Sequence, residues 1–333
     1  MTVVQVFRRP HERFFSIESV FSRIRSAWPD EALPIRYELP VNGIRPANLL
    51  KARSAAKQYP GALFHVTGDA HYVVLALPRN RTILTIHDAV FLNQYKGWKR
   101  WLLKKILLDI PVRYSRYITT ISEKSKLEIL RHTQCPASRI RVIPNPVSPE
   151  IYFRPQPFRS NEPRLLFIGV KPNKNLERVC EAIAGIPCQL TIIGKLFPHQ
   201  VSLLQQHGIR YHAVHGITSQ QMADQFAETD VVLFPSLYEG FGLPVIEGFR
   251  AGRVVVTSDL SPMKEVADGA ACLVDPYSTE SIREGLLRVI GDEAYRERLI
   301  HRGFAVVQAY EPAVIAGQYH QLYQEISQQS CAG

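Results

Sequence analysis

The chain has few cysteines and no long apolar run. Its five cysteines form an odd, scattered set without the paired spacing of a zinc site or a disulfide framework, namely Cys135, Cys180, Cys188, Cys272 and Cys331. The simplest interpretation is a reducing, cytoplasmic compartment. No apolar stretch approaches the length of a membrane span, and no basic-then-apolar signal segment opens the chain, so we expect a protein that neither crosses a membrane nor is exported.

Paired acidic residues of the Asp-x-Asp type are also missing. Because adjacent carboxylates are a common way to hold a divalent cation, we expect no metal cofactor. Hydrophobic residues make up 46% of the 333 residues and charged residues 21%, which is ordinary for a globular protein. The length is sufficient for two domains, each with its own core.

The charge is unevenly distributed. Residues 1–155 contain 25 Lys and Arg against 11 Asp and Glu, a net charge of +14, whereas the remainder contains 15 against 19, a net charge of −4. A pI of 9.4 would suit a nucleic-acid partner. The chain has no zinc-finger spacing, RNP-like aromatic pattern or basic zipper, so no nucleic-acid partner is expected.

Residues 95–108 combine two tryptophans and several leucines with five cations. At helical spacing Trp98, Trp101, Leu102 and Leu108 cannot all share one dry face, so part of this helix is wet or interfacial. A basic helix with aromatic anchors is typical of peripheral contact with an anionic membrane. The alternative is a solvated helix whose lysine stems cover apolar surface.

A strand, a glycine loop and a helix follow one another near residue 240. Residues 230–235 are a short apolar run typical of a buried parallel strand, and Pro244 suits the first turn of a helix. Gly240 and Gly242 allow a close backbone approach, and a helix N-terminus at the carboxyl edge of a sheet binds phosphate. Two carboxylates in the same stretch, Glu239 and Glu247, suit hydrogen bonds from sugar and ribose hydroxyls. The pattern indicates a donor made of sugar, diphosphate and nucleoside.

This stretch resembles the E-x7-E signature of the retaining glycosyltransferases of family 4. Further segments match in family order between about residues 85 and 288, at residues 85–88, 120–126, 142–147, 165–176, 190–195 and 273–276. The resemblance implies the α/β GT-B fold, with two Rossmann-like doubly wound parallel-sheet domains and an interdomain cleft.

The domain boundary is expected in the stretch 144–163, which contains six prolines. Residues 1–150 would form the N-terminal, acceptor-binding domain and residues 151–333 the C-terminal, nucleotide-sugar-binding domain. An open alternative packs the C-terminal helix back onto the first domain. Closure about this proline-rich hinge is expected to assemble the site.

The resemblance implies roles for particular residues. It makes His87, Glu239 and Lys174 catalytic, and Asp88 and Ser122 contacts to the acceptor or sugar. The residues implied to bind the donor are Gly169, Lys171, Asn173, Ile217, Gly240, Phe241, Gly242, Leu243, Pro244 and Glu247. The chain departs from the family where Asn173 precedes Lys174, because relatives have Arg-Lys there, and where Arg253 replaces a usual proline. Whether Lys171 or Lys174 meets the diphosphate stays open.

Two smaller features accompany these residues. His65 and Asp69 follow a strand as a second polar cluster, for which an ordinary turn is an equal interpretation. The loop at residues 8–12 is basic where many relatives have glycine.

The expected function is that of a retaining, metal-independent hexosyltransferase. Its donor would be a GDP- or UDP-linked sugar, with mannose one candidate, and its acceptor a glycan or lipid-linked saccharide of a cell-surface polysaccharide such as lipopolysaccharide. The place of action would be the inner face of the cell membrane. Two alternatives stay open, a nucleotide-binding interaction protein without turnover and an enzyme that makes a soluble glycoside.

Overall fold

The structure, a computed structural model, describes residues 1–10, 16–29, 32–88 and 96–331. The chain divides into two compact units. The first comprises Met1–Pro146 together with Pro312–Gly333, and the second is Val147–Glu311. The second unit therefore begins at Val147 rather than at residue 151, and the chain returns to the first unit after Glu311.

The first unit is built on six parallel strands in the order β2-β1-β3-β4-β5-β6. These strands are Val3–Phe7 (β1), Ile35–Glu38 (β2), Leu63–Val66 (β3), Thr82–Ile86 (β4), Tyr117–Thr120 (β5) and Ile140–Val142 (β6). Its first helices are Ser16–Ser26 (α1), Pro46–Gln58 (α2), Gly97–Lys104 (α3), Ile110–Tyr114 (α4) and Glu123–His132 (α5). Short 3₁₀ helices occur at His71–Ala76, Arg79–Arg81 and Ala137–Arg139, and a π-helical turn at Lys105–Asp109 joins α3 to α4.

Both faces of this sheet are covered, which explains the continuous apolar sequence of its strands. Alternate side chains of β1 point to opposite faces, and Val4 and Val6 belong to one hydrophobic cluster while Val3 and Phe7 belong to another. All five residues of β1 are buried. The predicted doubly wound parallel architecture is confirmed for this part of the chain.

The second unit repeats the plan with strand order β12-β11-β10-β7-β8-β9, again all parallel. Its strands are Arg164–Ile168 (β7), Gln189–Ile193 (β8), Tyr211–Val214 (β9), Val231–Phe234 (β10), Val254–Ser258 (β11) and Cys272–Val274 (β12). Its helices are Leu176–Ile183 (α6), Pro198–Gln206 (α7), Ser219–Glu228 (α8), Leu243–Arg250 (α9), Met263–Ala267 (α10), Thr279–Gly291 (α11) and Glu293–Val307 (α12). Short turns lie at Pro172–Lys174 and Gln308–Tyr310.

The last helix, Pro312–Cys331 (α13), packs against the first unit's sheet. Its apolar side chains join Val3, Phe7 and Phe21 in one cluster. At the centre of this contact the Tyr323 hydroxyl lies 2.6 Å from Nδ1 of His65 and accepts a hydrogen bond from Gln5. Nε2 of His65 in turn lies 2.6 Å from the Thr85 hydroxyl. His65 is therefore a core residue that holds the helix, not part of an exposed polar cluster.

The basic helix of the sequence begins at Gly97, and Tyr95 lies outside the described residues. Trp98 is 70% exposed and Trp101 is 62% exposed, whereas Leu108 is fully buried. The predicted split of these side chains between a wet and a dry surface is therefore observed. Within the described ranges, none of the helices has the length and apolar character needed to cross a bilayer.

We predict that Tyr323→Phe lowers the free energy of unfolding by about 1–3 kcal/mol, because it leaves buried polar groups of His65 and Gln5 without this partner. All three tryptophans of the chain lie in the first unit, and the Trp28 ring centroid is 5.6 Å from that of Tyr323. Urea unfolding followed by tryptophan fluorescence therefore measures this contact.

The matched control is Tyr59→Phe in the same unit. The Tyr59 hydroxyl accepts only a solvent-exposed hydrogen bond from Gln58 in the described structure, so this change should alter stability by less than about 0.5 kcal/mol. Equal midpoints for Tyr323→Phe and wild type would show that the buried hydroxyl does not hold the helix.

Candidate functional site

Two loops lie side by side at the carboxyl edge of the second unit's sheet, because β7 and β10 are neighbouring parallel strands. They are residues 169–175, after β7, and residues 235–242, after β10. The Leu237 amide donates to the Asn173 carbonyl over 2.8 Å, and the Asn173 side-chain amide donates to the Tyr238 carbonyl over 2.8 Å. The side chain of Asn173, predicted to bind a ligand, thus holds the two loops together.

The two residues with predicted catalytic roles in this unit form an ion pair. Nζ of Lys174 lies 2.6 Å from Oε1 of Glu239, and these side chains are only 17% and 16% exposed. The ammonium also lies 4.6 Å from the ring centroid of Phe234, the last residue of β10. The structure therefore brings Lys174 into the cluster, whereas Lys171 is exposed before the turn Pro172–Lys174.

Gly169 makes room for this lysine. It adopts a φ of +93°, and a Cβ built there would lie 2.8 Å from Cε of Lys174. Its amide donates to the Ile193 carbonyl at the end of β8. A side chain at this position would be strained and would also displace the Lys174 stem.

Asn175 was given no role in the sequence-based interpretation, yet it connects three loops. It is 1% exposed and left-handed, with φ 70°. Its side-chain amide donates to the carbonyls of Pro235, at 3.1 Å, and Pro276, at 2.7 Å, and its carbonyl oxygen accepts from Arg178. The sequence feature that could have identified this role is an asparagine directly before a helix. Asparagine tolerates the left-handed conformation and is favoured at helix starts.

The glycine loop ends at the N-terminus of α9. Gly242 precedes the helix with φ 106° and ψ 44°, and its carbonyl accepts from the Val245 amide. Pro244 contributes no N–H, so the backbone donors at the start of α9 are the amides of Gly242 and Leu243. An anion at this end of α9 would meet these donors and the positive end of the helix dipole.

Other predicted ligand residues surround this loop. Phe241 is 4% exposed and packs edge-to-face on Tyr310 at 5.7 Å, so its ring belongs to the packed interior of this unit. Glu247, one turn into α9, is 8% exposed. Ile217 follows β9 on the same edge of the sheet, two strands or roughly 10 Å from β7. The predicted residues thus extend across several strand ends.

The carboxyl edge of the first unit's sheet positions His87. Its Nε2–H donates to the Thr67 carbonyl over 2.8 Å, which leaves Nδ1 as the acceptor nitrogen. Burial lowers the pKa of His87, although the Thr67 carbonyl and two nearby aspartates oppose this effect. A Cβ at Gly68 would lie 2.7 Å from Cδ2 of the imidazole, so glycine permits this close packing. His87 is therefore held as a neutral ring.

The two residues predicted to accompany His87 differ in their surroundings. Asp88 is half-buried beside it and is the last described residue before residue 96. Ser122 is 6% exposed and caps α5, because its hydroxyl accepts from the Ser125 amide over 3.1 Å. This cap explains why serine stands there, and a sugar contact for Ser122 stays a prediction.

Arg8 and Asp69 were not assigned to the site, but they lie at the ends of β1 and β3 on the same edge as His87. Arg8 binds Glu18 through two hydrogen bonds of 2.7 and 3.0 Å and also pairs with Asp69. Asp69 is left-handed, with φ 53°, and its side chain is 52% exposed. The basic loop thus contributes an arginine whose charge orients a carboxylate; residues 11–12 of that loop lie outside the described chain.

Among the residues that the structure describes, no group of three or more His, Cys, Asp or Glu side chains is arranged to hold a metal ion.

We predict that Asn175→Ala lowers the free energy of unfolding of the second unit by about 2 kcal/mol, because the Pro235 and Pro276 carbonyls lose a buried donor. Hydrogen exchange read by mass spectrometry should show faster exchange in residues 169–175 and 235–242. The exposed Asn161→Ala, in the same unit, should leave both measurements unchanged. Unaltered exchange in Asn175→Ala would contradict the role of this side chain as the connection between loops.

Two family models match the chain in succession. The model of Glycosyltransferase Family 4 matches residues 4–151, and the model of Glycosyl transferases group 1 matches residues 149–306. Together they extend from the first strand of the first unit to the last helices of the second.

Individual proteins are similar over most of the chain. This chain is 25% identical over 283 residues to O-antigen chain mannosyltransferase B of Escherichia coli. The aligned region covers 77% of this chain and 72% of that protein. The chain is also 25% identical over 298 residues to the serotype-specific mannosyltransferase WbdA of Escherichia coli, covering 75% of this chain. The match spans 36% of WbdA, so this chain corresponds to about a third of that relative's length.

The fold is shared with solved structures. Anabaena Alr3699/HepE, solved in complex with UDP and glucose, superposes with a TM-score of 0.78 at 12% identity, covering 98% of this chain and 100% of that one. With both family models matched in order and both parallel sheets in place, the resemblance inferred from the sequence is confirmed, and the chain belongs to the family 4 glycosyltransferases of the GT-B fold.

Proposed function

We propose that this enzyme transfers a hexose from a nucleoside-diphosphate sugar to a saccharide acceptor in the synthesis of a cell-surface polysaccharide. The observation that carries the proposal is the Lys174–Glu239 pair beside the glycine loop and the N-terminus of α9. It combines a cation and backbone donors for a diphosphate with a carboxylate for hydroxyl groups. The names of both mannosyltransferase relatives support the same class of reaction.

The donor diphosphate is assigned to Lys174 and to the amides that precede α9. Carboxylates beside a diphosphate would normally repel it, but Glu239 is neutralised by Lys174 at 2.6 Å. An ammonium has three N–H donors, so Lys174 can contact a phosphate oxygen while it keeps Glu239. Glu239 and Glu247 then accept hydrogen bonds from hydroxyls, one on the sugar and one on the ribose.

The reaction develops positive charge at the anomeric carbon and negative charge on the departing diphosphate. A fixed cation and oriented amides stabilise that negative charge without reorganisation, which is the usual basis of electrostatic catalysis. We therefore infer a metal-independent transfer. Membership of the family suggests retention of anomeric configuration by front-face attack.

The acceptor is assigned to the first unit, with His87 and Asp88 as its contacts. A neutral His87 with Nδ1 as acceptor suits a hydrogen bond from a sugar hydroxyl. Asp69 adds an exposed carboxylate on the same edge, oriented by Arg8. Hydroxyl-rich ligands match such an arrangement of acceptors, which supports a glycan or a lipid-linked saccharide.

Two donors are the leading candidates. Both relatives are named as mannosyltransferases, which supports mannose as the transferred sugar. We propose GDP-mannose as the corresponding donor. The structural neighbour contains UDP and glucose, which keeps a UDP-hexose open.

We predict that either GDP or UDP raises the melting temperature without Mg²⁺, and that ADP, CMP and dTDP raise it less. A ligand that binds only the folded state at about 100 times its Kd adds roughly 2.7 kcal/mol. Gly169→Ala should lose most of this stabilisation, because its Cβ would displace Lys174. In the same variant, transfer of the radiolabelled sugar from the GDP- or UDP-linked donor to a lipid-linked saccharide should also fall.

The control is Gly185→Ala in the same unit. Gly185 has a φ of +73° but nothing within 4 Å of a built Cβ, so its substitution carries similar backbone strain without crowding Lys174. Both variants should unfold at lower temperature, but only Gly169→Ala should bind the nucleotide more weakly. Nucleotide affinity that falls equally in both, or stabilisation that requires Mg²⁺, would contradict the proposed donor site.

We also propose that α3 places the enzyme on an anionic membrane surface, at the cytoplasmic face. Trp98 and Trp101 are exposed, and Lys99 and Arg100 beside them are exposed as well. Exposed indole rings next to cations match the headgroup region of a bilayer, where apolar rings and positive charges are both stabilised.

We predict that Lys99→Gln with Arg100→Gln weakens binding to anionic vesicles about 30-fold, because each basic residue near such a surface contributes about 1 kcal/mol. Vesicle flotation measures this, with Arg53→Gln and Lys57→Gln on α2 as the charge-matched control. If the two double variants bind alike, net charge rather than α3 governs the contact.

A further inference from the structure

Three arginines converge at the amino edge of the first unit's sheet. A groove of about 480 Å³ there is lined by Arg79, Asn80, Arg116 and Arg139. Arg79 and Asn80 lie in the turn before β4, Arg116 directly precedes β5, and Arg139 directly precedes β6. Because β4, β5 and β6 are neighbouring parallel strands, their first residues meet at one edge. This is the edge opposite His87, so the groove is distinct from the candidate acceptor site.

The end of α4 anchors two of these arginines. Nε of Arg79 donates to the Tyr114 carbonyl over 2.8 Å, and Nη2 of Arg139 donates to the Val112 carbonyl over 2.9 Å. The guanidinium of Arg116 lies 5.5 Å from the ring centroid of Tyr117, the first residue of β5. The side chains are therefore oriented before any ligand arrives, which lowers the entropic cost of binding.

The charges of this groove are not neutralised by acidic residues. Across the described parts of the chain, no carboxylate forms an ion pair with Arg79, Arg116 or Arg139, although Arg8, Arg159 and Arg250 all have such partners. Each guanidinium has five N–H donors, and the anchoring bonds use one on Arg79 and one on Arg139. Three like charges in one groove repel one another, and a bound anion relieves that repulsion.

We propose that this arginine groove binds a phosphate group, carried by a lipid headgroup or by a soluble phosphate compound. The planar fork of arginine matches phosphate oxygens in a bidentate manner, and several such forks around one groove suit a multiply charged group. The site goes beyond the proposed glycosyl transfer, because it lies in the first unit and uses none of the residues assigned to donor or acceptor.

Arg116 separates this proposal from a purely structural explanation. Capping of the carbonyls at the end of α4 is by itself enough to explain Arg79 and Arg139, without any ligand. Arg116 donates no hydrogen bond to that helix within the described structure, so capping does not account for its place in the groove. Arg116→Gln therefore removes a phosphate ligand and leaves both anchoring bonds intact.

The test is titration of the full chain with pyrophosphate, with calorimetry for affinity and hydrogen exchange for location. We expect slower exchange around residues 79–82, 115–118 and 137–140 in the wild type. Arg116→Gln should abolish this protection and weaken the affinity at the groove at least about tenfold, because it removes hydrogen bonds between two charged groups. Exchange identifies the site even if pyrophosphate also binds near Lys174.

Two controls make the outcome decisive. Arg53→Gln removes an exposed arginine of the same unit away from the groove and should preserve both affinity and protection. Nucleotide-dependent stabilisation should be unchanged in Arg116→Gln, so a failure of this site is distinguishable from a failure of the proposed function. Protection that is absent from the wild type, retained in Arg116→Gln or lost equally in Arg53→Gln would overturn the phosphate site.

Vesicle flotation then identifies the source of the phosphate. The vesicles contain phosphatidylcholine with or without phosphatidic acid. If the source is a lipid headgroup, Arg116→Gln should weaken the binding that depends on phosphatidic acid, and pyrophosphate should weaken the same binding in the wild type. If the phosphate belongs to a soluble compound, Arg116→Gln should lose pyrophosphate binding while its vesicle binding stays as in the wild type. Both results support the groove as a phosphate site.

Discussion

The parallel arrangement of every strand is the constraint on which the rest of the structure depends. In a parallel sheet the strand ends with the same polarity meet at one edge, so polar loops that are distant in sequence become neighbours. Lys174 and Glu239 are 65 residues apart and lie at 2.6 Å, because β7 and β10 pair directly. In the first unit the same rule collects Arg8, Asp69 and His87 at one edge and three arginines at the other.

Local sequence was enough to predict the buried strand at residues 230–235, the glycine loop and the start of α9. Each depends on nearest neighbours, as in the apolar run 230–235 or the proline at the first turn of the helix. The Lys174–Glu239 contact was not predictable in this way, because it depends on which strands pair and on the bonds that Asn173 and Asn175 make to the opposite loop. The placement of Lys174, rather than Lys171, beside Glu239 required the same three-dimensional information.

Several polar side chains that the sequence analysis singled out also stabilise the fold through internal hydrogen bonds. Ser122 caps α5, and Asn173 connects two loops. Arg253, which replaces a usual proline, is 5% exposed and donates to the carbonyls of Phe226 and Ala227 at the end of α8. Burial lowers its pKa to about 10. A sequence motif identifies such positions but not the partner that each side chain reaches.

The Lys174–Glu239 pair also explains how one site could serve both binding and catalysis in the proposed reaction. In the absence of a donor, Glu239 keeps a largely enclosed ammonium charge-compensated and in place. In the proposed reaction a bound diphosphate contacts the same ammonium, and this contact strengthens as negative charge grows on the leaving group. Interactions that strengthen in the transition state accelerate a reaction, whereas interactions equal in both states only improve binding. Because Lys174 keeps Glu239 in place while the carboxylate accepts a sugar hydroxyl, the proposed reaction couples binding of the diphosphate to positioning of the sugar.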